Sequence, residues 1–493
     1  MIPHRQTTTF DPGIRGGGRA PALRFVLACA LALAASACGD TLVDHDGDRF
    51  YVLPCAGQGS HLCDRGTGPV CEAVSETSCG DGLACTDCTV GFSVANATAI
   101  CGSAGACGFQ CDAGWLRCGT GCCRTLAVAA GGSHTCAIVG QLGDPSGRLK
   151  CWGANERGQL GAGGGDYQDR LVPTDVLLMD SGVTLVAAGA AHTCAVKGGA
   201  LYCWGANSAF GVRDGRLGVT TLADQYSSPQ TVSLAGVTAL APGELHTCAL
   251  VGNAIYCWGA NARGQLGSGA LGGVRPTPST PTLTGASAVV SGRANACALV
   301  SGAVRCWGAN DWGQLGNGAA VPRADQPSPV AAGTLAAVTA LAAGAHHSCA
   351  VDASPPDPLL WCWGENTDDQ LGLGTAGGDS SSPILASVVQ SLRPVMAAGG
   401  RAHTCGLKAD VSGIKCFGSN ATGQLGGPGP AEHKIDVQLG NVAAAAISAG
   451  DDHGCALDAD GSLYCWGANG RGQVGDGSTS AIGVFKPTAV SGR

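Results

Sequence analysis

The stretch His246-Thr-Cys-Ala-Leu-Val-Gly-Asn-Ala-Ile-Tyr-Cys-Trp-Gly-Ala-Asn-Ala-Arg-Gly-Gln-Leu-Gly267 recurs, with variations, seven times along the chain. Cys248 and Cys257 are nine residues apart, so a two-residue turn at Gly252-Asn253 sets them opposite each other. The same spacing sets Cys194 against Cys203 across Gly198-Gly199, and Cys297 against Cys306 across Ser301-Gly302. All three turn pairs suit the positive φ that tight hairpins require. Counting outward from the turn, hydrogen-bonded and non-hydrogen-bonded pairs alternate, and each cysteine pair falls on a non-hydrogen-bonded site. Side chains are close there, and a disulfide is sterically allowed. Cys136/Cys151, Cys349/Cys362, Cys405/Cys416 and Cys455/Cys465 enclose longer loops, the last with Ala459-Asp460-Gly461 as a three-residue turn.

Outward from the hairpin, successive Cys-Trp (once Cys-Phe) dipeptides are 52, 54, 49, 56, 54 and 49 residues apart. A period near 50 marks a propeller or solenoid. Each period reads as an apolar strand ending in Ala-Gly, a His-Thr-Cys strand, a Cys-Trp-Gly strand, a Gly-Gln-Leu-Gly turn and a fourth apolar stretch near a proline (Pro173, Pro229, Pro383, Pro487). Four short strands per period describe one propeller blade. The first period opens at Val128-Ala-Ala-Gly131 and the last ends at Phe485-Lys-Pro487-Thr-Ala-Val490. Ends of that kind favour closure of seven units into a ring over an open, capped array.

Gly-x-x-His-Thr, Trp-Gly-x-Asn-x-x-Gly-Gln-Leu-Gly and the period together resemble the regulator of chromosome condensation repeat, over residues 126–493. The resemblance implies a seven-bladed propeller. The chain departs from that pattern with its paired cysteines, where the family often has Leu or Ser, with Phe417 for Trp, with Asn295 for His, and with Gly215-Arg-Leu-Gly218 for Gly-Gln-Leu-Gly. The expected architecture is all-β: a seven-bladed propeller with one disulfide inside each blade, preceded by a small disulfide-rich module.

Composition limits the rest. Among 493 residues, 81 are Gly and 5% aromatic, which suits many tight turns and few long helices. The leader carries Arg5, Arg15, Arg19 and Arg24 against Asp11, so a net charge of −8 less the leader's +3 leaves −11 for the remainder. That sign opposes nucleic acid as a partner. Arg24 precedes the apolar run Phe25 to Ala35 and then Ser36-Ala37-Cys38, the pattern of a signal peptide over 1–37 that is too short to span a bilayer once mature. Two processing readings compete. Ordinary cleavage after Ala37 leaves 27 cysteines, an odd number, whereas a lipobox-like site that lipidates Cys38 leaves 26, which can all pair. Twenty-eight cysteines suit an oxidising compartment. The expectation is therefore an extracytoplasmic bacterial lipoprotein, held at the outer membrane or cell surface through Cys38, with secretion as the alternative.

Residues 38–54 read as the anchor and a linker. Asp44-His-Asp46-Gly-Asp48 lacks the distal Glu of a calcium loop and reads as solvated chain. The module over 55–125 holds twelve cysteines between Cys55 and Cys123, and cross-links take the place of a core in so small a segment. Cys85-x-x-Cys88 alone is a poor zinc motif without a second pair or a nearby His.

Several repeated residues invite a functional reading. His134, His192, His246, His347, His403 and His453 sit on different blades, too far apart to share an ion whose ligands lie at about 2 Å; they read as structural histidines bonded to local backbone. Trp152, Trp204, Trp258, Trp307, Trp363 and Trp466 read as packing wedges between blades, and Asn155, Asn207, Asn261, Asn310, Asn366, Asn420 and Asn469 as turn caps. No Lys is followed by Ser or Thr, which excludes a P-loop, and Gly372-x-Gly374-x-x-Gly377 precedes no helical pattern. No catalytic residue, metal or cofactor is nominated.

The expected function is an extracytoplasmic scaffold binding a protein or envelope polymer. Two alternatives stand beside it: guanine-nucleotide exchange, which the resemblance implies through eukaryotic members acting on the small GTPase Ran, and an enzyme with a site at the propeller mouth. Positions that differ between blades are the binding candidates: Phe210 and Arg213 in the longer turn of the second blade, Trp312 at the corresponding turn of the fourth, and Trp361 in the insertion 352–361 of the fifth, which shares a rim with the insertion 140–148 of the first.

Overall fold

The computed structural model describes residues 111–491, except for short loop stretches at 119–120, 142–145, 210, 221–222, 355–356, 388–392, 409–412, 430–432 and 440–442, together with a few strand segments nearer the N-terminus. The chain divides into one unit of Met1–Ser93 with Ala99–Phe109 and a second of Val94–Thr98 with Gln110–Arg493. In the first, Thr41–Val43, Arg49–Val52 and Leu62–Cys63 form a three-stranded sheet. Cys38, the leader, the 44–48 acidic stretch and Phe210 lie outside the described residues.

The second unit is a ring of seven antiparallel blades. In the second blade the strands Val183–Ala188, His192–Lys197, Ala200–Ala206 and Gln225–Ala235 lie side by side in chain order. The first, third, fourth, fifth, sixth and seventh blades open with inner strands Gly121–Ala130, Val237–Pro242, Ala286–Ser291, Val338–Ala343, Pro394–Gly399 and Ala444–Ala449. In the third blade the outer strand is split into Val274–Arg275 and Pro281–Thr284. The sheet of the first blade begins earlier than residue 126: Leu116–Cys118 pairs with the start of its inner strand, and a Cys111–Cys122 disulfide ties the preceding chain to it. No single-sequence pattern marked that extension, because the cysteines around it look alike.

The hairpin register is as the spacing predicts. Cys194 pairs with Cys203, Cys248 with Cys257 and Cys297 with Cys306. Gly198 and Gly199, like Ser301 and Gly302, both take positive φ, whereas at the Gly252-Asn253 turn only Gly252 does; these are the patterns of type I′ and II′ hairpins. Seven disulfides, one per blade, join Cys136–Cys151, Cys194–Cys203, Cys248–Cys257, Cys297–Cys306, Cys349–Cys362, Cys405–Cys416 and Cys455–Cys465, each with its Cα atoms 4.1 Å apart. The close approach is that of non-hydrogen-bonded pairs.

The core is a set of clusters between blades. Trp204 of the second blade packs with Cys136, Ile138, Leu149, Cys151 and Leu160 of the first, and Trp258 of the third packs with Cys194, Leu201, Cys203 and Leu217 of the second. Trp307, Trp363, Phe417 and Trp466 repeat the arrangement, and Trp152 of the first blade packs on Cys455, Leu463 and Cys465 of the seventh. All seven aromatic rings are fully buried. A disulfide from one blade and an aromatic ring from the next therefore share each interface, where flat packing of large apolar area is the main attraction.

Closure occurs between two whole blades. Trp152 Nε1 donates to the Gln473 carbonyl at 3.0 Å, Thr125 N to Gly461 O at 2.8 Å and Ala130 N to Ser448 Oγ at 2.9 Å. No strand is exchanged, since the inner strand of the first blade and the outer strand Ser480–Ala489 of the seventh each belong to their own sheet.

Candidate binding face at the channel mouth

Each inner strand runs toward the same end of the ring, turns at a corner that is Ala-Gly in four blades and Pro242-Gly243, Ser291-Gly292 or Gly399-Gly400 in the others, and returns as the second strand, which carries the first cysteine of the blade's own disulfide. The third strand rises to the same end and leaves through the Trp-Gly-x-Asn turn. One face therefore carries the seven corners around the channel and, outside them, seven turns. The short hairpins between second and third strands lie at the other end.

The turns are fixed by repeated bonds. Asn155 Oδ1 accepts from the Leu160 N–H at 3.0 Å, and Asn261, Asn310, Asn366, Asn420 and Asn469 do the same five residues on, while Asn207 spans the longer second turn to Leu217 N at 3.3 Å. The Asn residues cap these turns as expected. In the second blade Arg216 stands where the others have Gln. Its guanidinium is buried against Asp214, donates Nη2–H to Ser208 O at 3.0 Å and Nη1–H to Glu244 O of the third blade at 2.8 Å. The extra turn residues thus supply the counter-charge and carbonyl that a buried Arg requires.

Histidines and threonines join neighbouring blades at the same level. Thr193 Oγ1 donates to Gln159 O at 2.8 Å and lies 2.9 Å from His134 Nε2 of the preceding blade. The hydroxyl proton is spent on the carbonyl, so the imidazole must donate from Nε2. Thr247 with His192, Thr404 with His347 and Thr135 with His453 repeat this. The histidines are structural, but their partner is the hydroxyl of the next blade, where the sequence suggested local backbone. A pairing between periods cannot be read from spacing within one. Burial lowers all six histidines: His134, His347 and His453 to about 3, His246 and His403 to about 4, and His192 well below its ordinary value. Three of the seven links are missing. Asn295 stands in place of His in the fourth blade, and its side-chain amide is buried without a partner. His246 faces a blade with Ala296 in place of Thr, and His403 one with Gly454, and Nε2 of both is buried without a partner.

Around the channel the corners are tied by backbone bonds that pass from each blade to the next: Gly132 N to Gly189 O, Ala190 N to Gly243 O, Glu244 N to Arg293 O, Arg293 N to Ala345 O, Ala345 N to Gly400 O, Arg401 N to Asp451 O and Asp451 N to Gly131 O, at 2.7–3.2 Å. This closed circuit of seven makes the mouth a rigid annulus.

The nominated residues separate. Trp312 lies on this face, stacked on His346 of the fifth blade with ring centroids 6.1 Å apart, and His346 Nδ1 is 3.5 Å from Glu365. The His346 hydrogen bond holds the Glu365 carboxyl below its usual value. Arg213 is on the same face, 3.5 Å from Asp224 and about half exposed. Trp361 does not join them. It lies within the third strand of the fifth blade, half-buried, in register with Ala350 and Leu385. The 140–148 and 352–361 insertions belong to the opposite end. Sequence reasoning missed Arg263, which clamps Asp311 at 2.6 Å and Asp325 across the third and fourth blades, and Arg471, which reaches Glu156 at 2.9 Å and Asp169 at 3.0 Å across the seventh and first. Both occupy the Trp312 position of their own repeats, and alignment of the seven periods at Gly-Gln would have found them. Among the described residues no group of three His, Cys, Asp or Glu is placed to hold a metal.

A seven-bladed, disulfide-linked propeller presenting one rigid annular face is a binding scaffold. Its repeats match the Regulator of chromosome condensation (RCC1) repeat at residues 146–196, 301–351, 358–407, 444–473 and 460–493. The Arabidopsis thaliana Ultraviolet-B receptor UVR8 is 32% identical over 366 residues, covering 72% of this chain and 68% of that protein. The chain belongs to the regulator of chromosome condensation repeat family. The Homo sapiens probable E3 ubiquitin-protein ligase HERC3 is 37% identical over 145 residues, 28% of this chain and only 13% of that protein. Among solved structures, Prp20p from Saccharomyces cerevisiae superimposes with a TM-score of 0.59 at 22% identity, covering 69% of this chain and 85% of its own, a likeness of fold.

Proposed function

We propose that this protein is an extracytoplasmic scaffold, lipid-anchored through Cys38, that docks a protein partner or an envelope polymer on the channel-mouth face and performs no catalysis. The disulfide in every blade points to an oxidising compartment. The observation that carries docking is the contrast between fixed frame and variable rim. The Asn, Gln and Trp positions of the turns recur, while the residue two before the turn Gln is Arg157, Arg263, Trp312, Asp368, Thr422 or Arg471. Aromatic and Arg side chains on a rigid support suit interface anchors. The yeast relative Prp20p was crystallised in a study of its binding to Gsp1p and histones, and another structure holds it bound to Kap60; protein binding is the property we carry over.

The test is affinity capture from an envelope fraction with the propeller as bait. Trp312→Ala and Arg213→Ala are expected to weaken capture tenfold or more, with the thermal midpoint lowered by no more than the loss of one exposed contact. If both capture normally while the segment before residue 126 captures the partner alone, the propeller is a stalk and the docking assignment is wrong. Radiolabelled lipid precursor should enter the wild type and not Cys38→Ala.

A further inference from the structure

The seven corners enclose a cavity of about 320 Å³ at the channel mouth. Glycine and alanine make most of its wall, and the charged side chains in it are Glu244, Arg293, Arg401 and Asp451. Arg293 grips Glu244 through Nε at 2.5 Å and Nη2 at 2.9 Å. Arg401 grips Asp452 through Nη2 at 2.8 Å and Nε at 3.2 Å. Those pairs neutralise each other and leave one carboxylate over. Asp451 uses its backbone N–H and carbonyl in the circuit around the mouth, while its side chain receives no hydrogen bond from any described residue.

We propose that the channel mouth is a binding site for a small organic cation, a primary amine of about amino-acid size, whose ammonium group pairs with Asp451. A cation fits the charge that remains, because Arg293 is taken by Glu244 and Arg401 by Asp452 just outside the cavity wall, which leaves Asp451 without a guanidinium partner. The annulus supplies further acceptors: the carbonyls of Gly131, Gly189, Gly243 and Gly400 each receive one N–H from a neighbouring blade and retain a second lone pair. An ammonium has three donors, so it can satisfy the carboxylate and the rim carbonyls together. The wall, lacking long side chains at the corners of the first, second and fifth blades, leaves room for the carbon chain. This pocket is separate from the outer rim that carries the proposed docking anchors.

The environment of Asp451 also sets a pH dependence. Burial first, and then the neighbouring Asp452, raise its pKa to about 6, with Glu244 adding to the rise and Arg401 and Arg293 opposing it. The corners of the first, second and fifth blades, at Gly132, Ala190 and Ala345, bring no charge to it. With a pKa of about 6, roughly a tenth of Asp451 is ionised at pH 5 and nearly all at pH 7.5.

The experiment is ligand-observed saturation-transfer NMR of the full propeller with propylammonium, against tetramethylammonium and propionate. Saturable propylammonium binding is expected at pH 7.5, about twofold weaker at pH 6, where the ring is still folded and about half of Asp451 is ionised, and at least tenfold weaker in Asp451→Asn, with no binding of propionate. The Asp451→Asn thermal midpoint at pH 7.5 serves as the check that the variant is folded. Absence of propylammonium binding, or binding equal in wild type and a folded Asp451→Asn, overturns the proposal; propionate binding in its place assigns the mouth to Arg293 and Arg401. Capture of a macromolecular partner is unaffected by any of these outcomes, so the two proposals fail separately.

Discussion

Replacing Thr135 with Val probes the seam where the ring closes. Thr135 is fully buried, its hydroxyl donates to Gln473 O at 2.9 Å, and it accepts from His453 Nε2 at 2.8 Å. Valine keeps the shape, so no cavity opens and the packing of Trp152 on the seventh blade is retained. The Gln473 carbonyl keeps its Trp152 Nε1 donor at 3.0 Å. The His453 imidazole, fully buried, loses the one hydrogen bond it makes among the described residues, and an orphaned buried donor costs about 1–3 kcal/mol, with the lost hydroxyl bond adding a fraction of that. We expect about 2–3 kcal/mol in all, a fall of about 3 °C in thermal midpoint for a ring of this size. Thr193→Val, between the first two blades, is the internal standard and should cost the same. Thr404→Val should cost about 1 kcal/mol more, because Phe417 has no N–H and Gln370 O is left without a donor. The assay is calorimetry of the oxidised protein at pH 7.5. If Thr193→Val shows the loss and Thr135→Val does not, the first and seventh blades are not joined as described; if all three are neutral, the His–Thr links contribute nothing.

Ala296→Thr restores the missing link at the third and fourth blades, giving His246 Nε2 an acceptor and Gln265 O a second donor, and should raise stability by about 1 kcal/mol; a lower midpoint in calorimetry would show that the site has no room for the hydroxyl and methyl. Acid should unfold the ring through its six buried histidines. Their folded pKa values lie well below the unfolded value of about 6.5, so the unfolded chain binds protons first; stability is intact above that pH and is lost as pH falls toward 4. At pH 5 each contributes about 2 kcal/mol against folding, roughly 12 kcal/mol for six, which is comparable to the whole stability of a typical domain. Near-ultraviolet circular dichroism should therefore collapse between about pH 6 and 4, and a flat signal over that range would contradict neutral buried histidines.

The blades were legible because their signals are local. Two-residue turns at Gly198-Gly199 and Ser301-Gly302 fix register by counting, and register fixes which cysteines meet. The role of the Trp positions also followed, since one bulky residue per period has little to pack on but the adjoining blade. What escaped was everything that joins different periods. The His134–Thr193 bond spans 59 residues and the Thr135–His453 bond 318, and no spacing rule reaches so far. Arg471 with Glu156 and Asp169, and the circuit of corner amides, depend on the ring being closed. The candidate anchors were half legible: departure from the repeat picked out Trp312 and Arg213 on one face, but could not tell that Trp361 belongs to a strand interior.

The ring is closed by blades that are each sealed by their own disulfide, a pattern that suits an oxidising compartment. Peptide mapping of the protein isolated from its native source, alkylated and digested without reduction, tests this pattern most directly. Seven linked peptides are expected, joining Cys136 to Cys151, Cys194 to Cys203, Cys248 to Cys257, Cys297 to Cys306, Cys349 to Cys362, Cys405 to Cys416 and Cys455 to Cys465. Alkylated free thiols at these positions, or links that join one blade to another, would contradict both the compartment and the hairpin register.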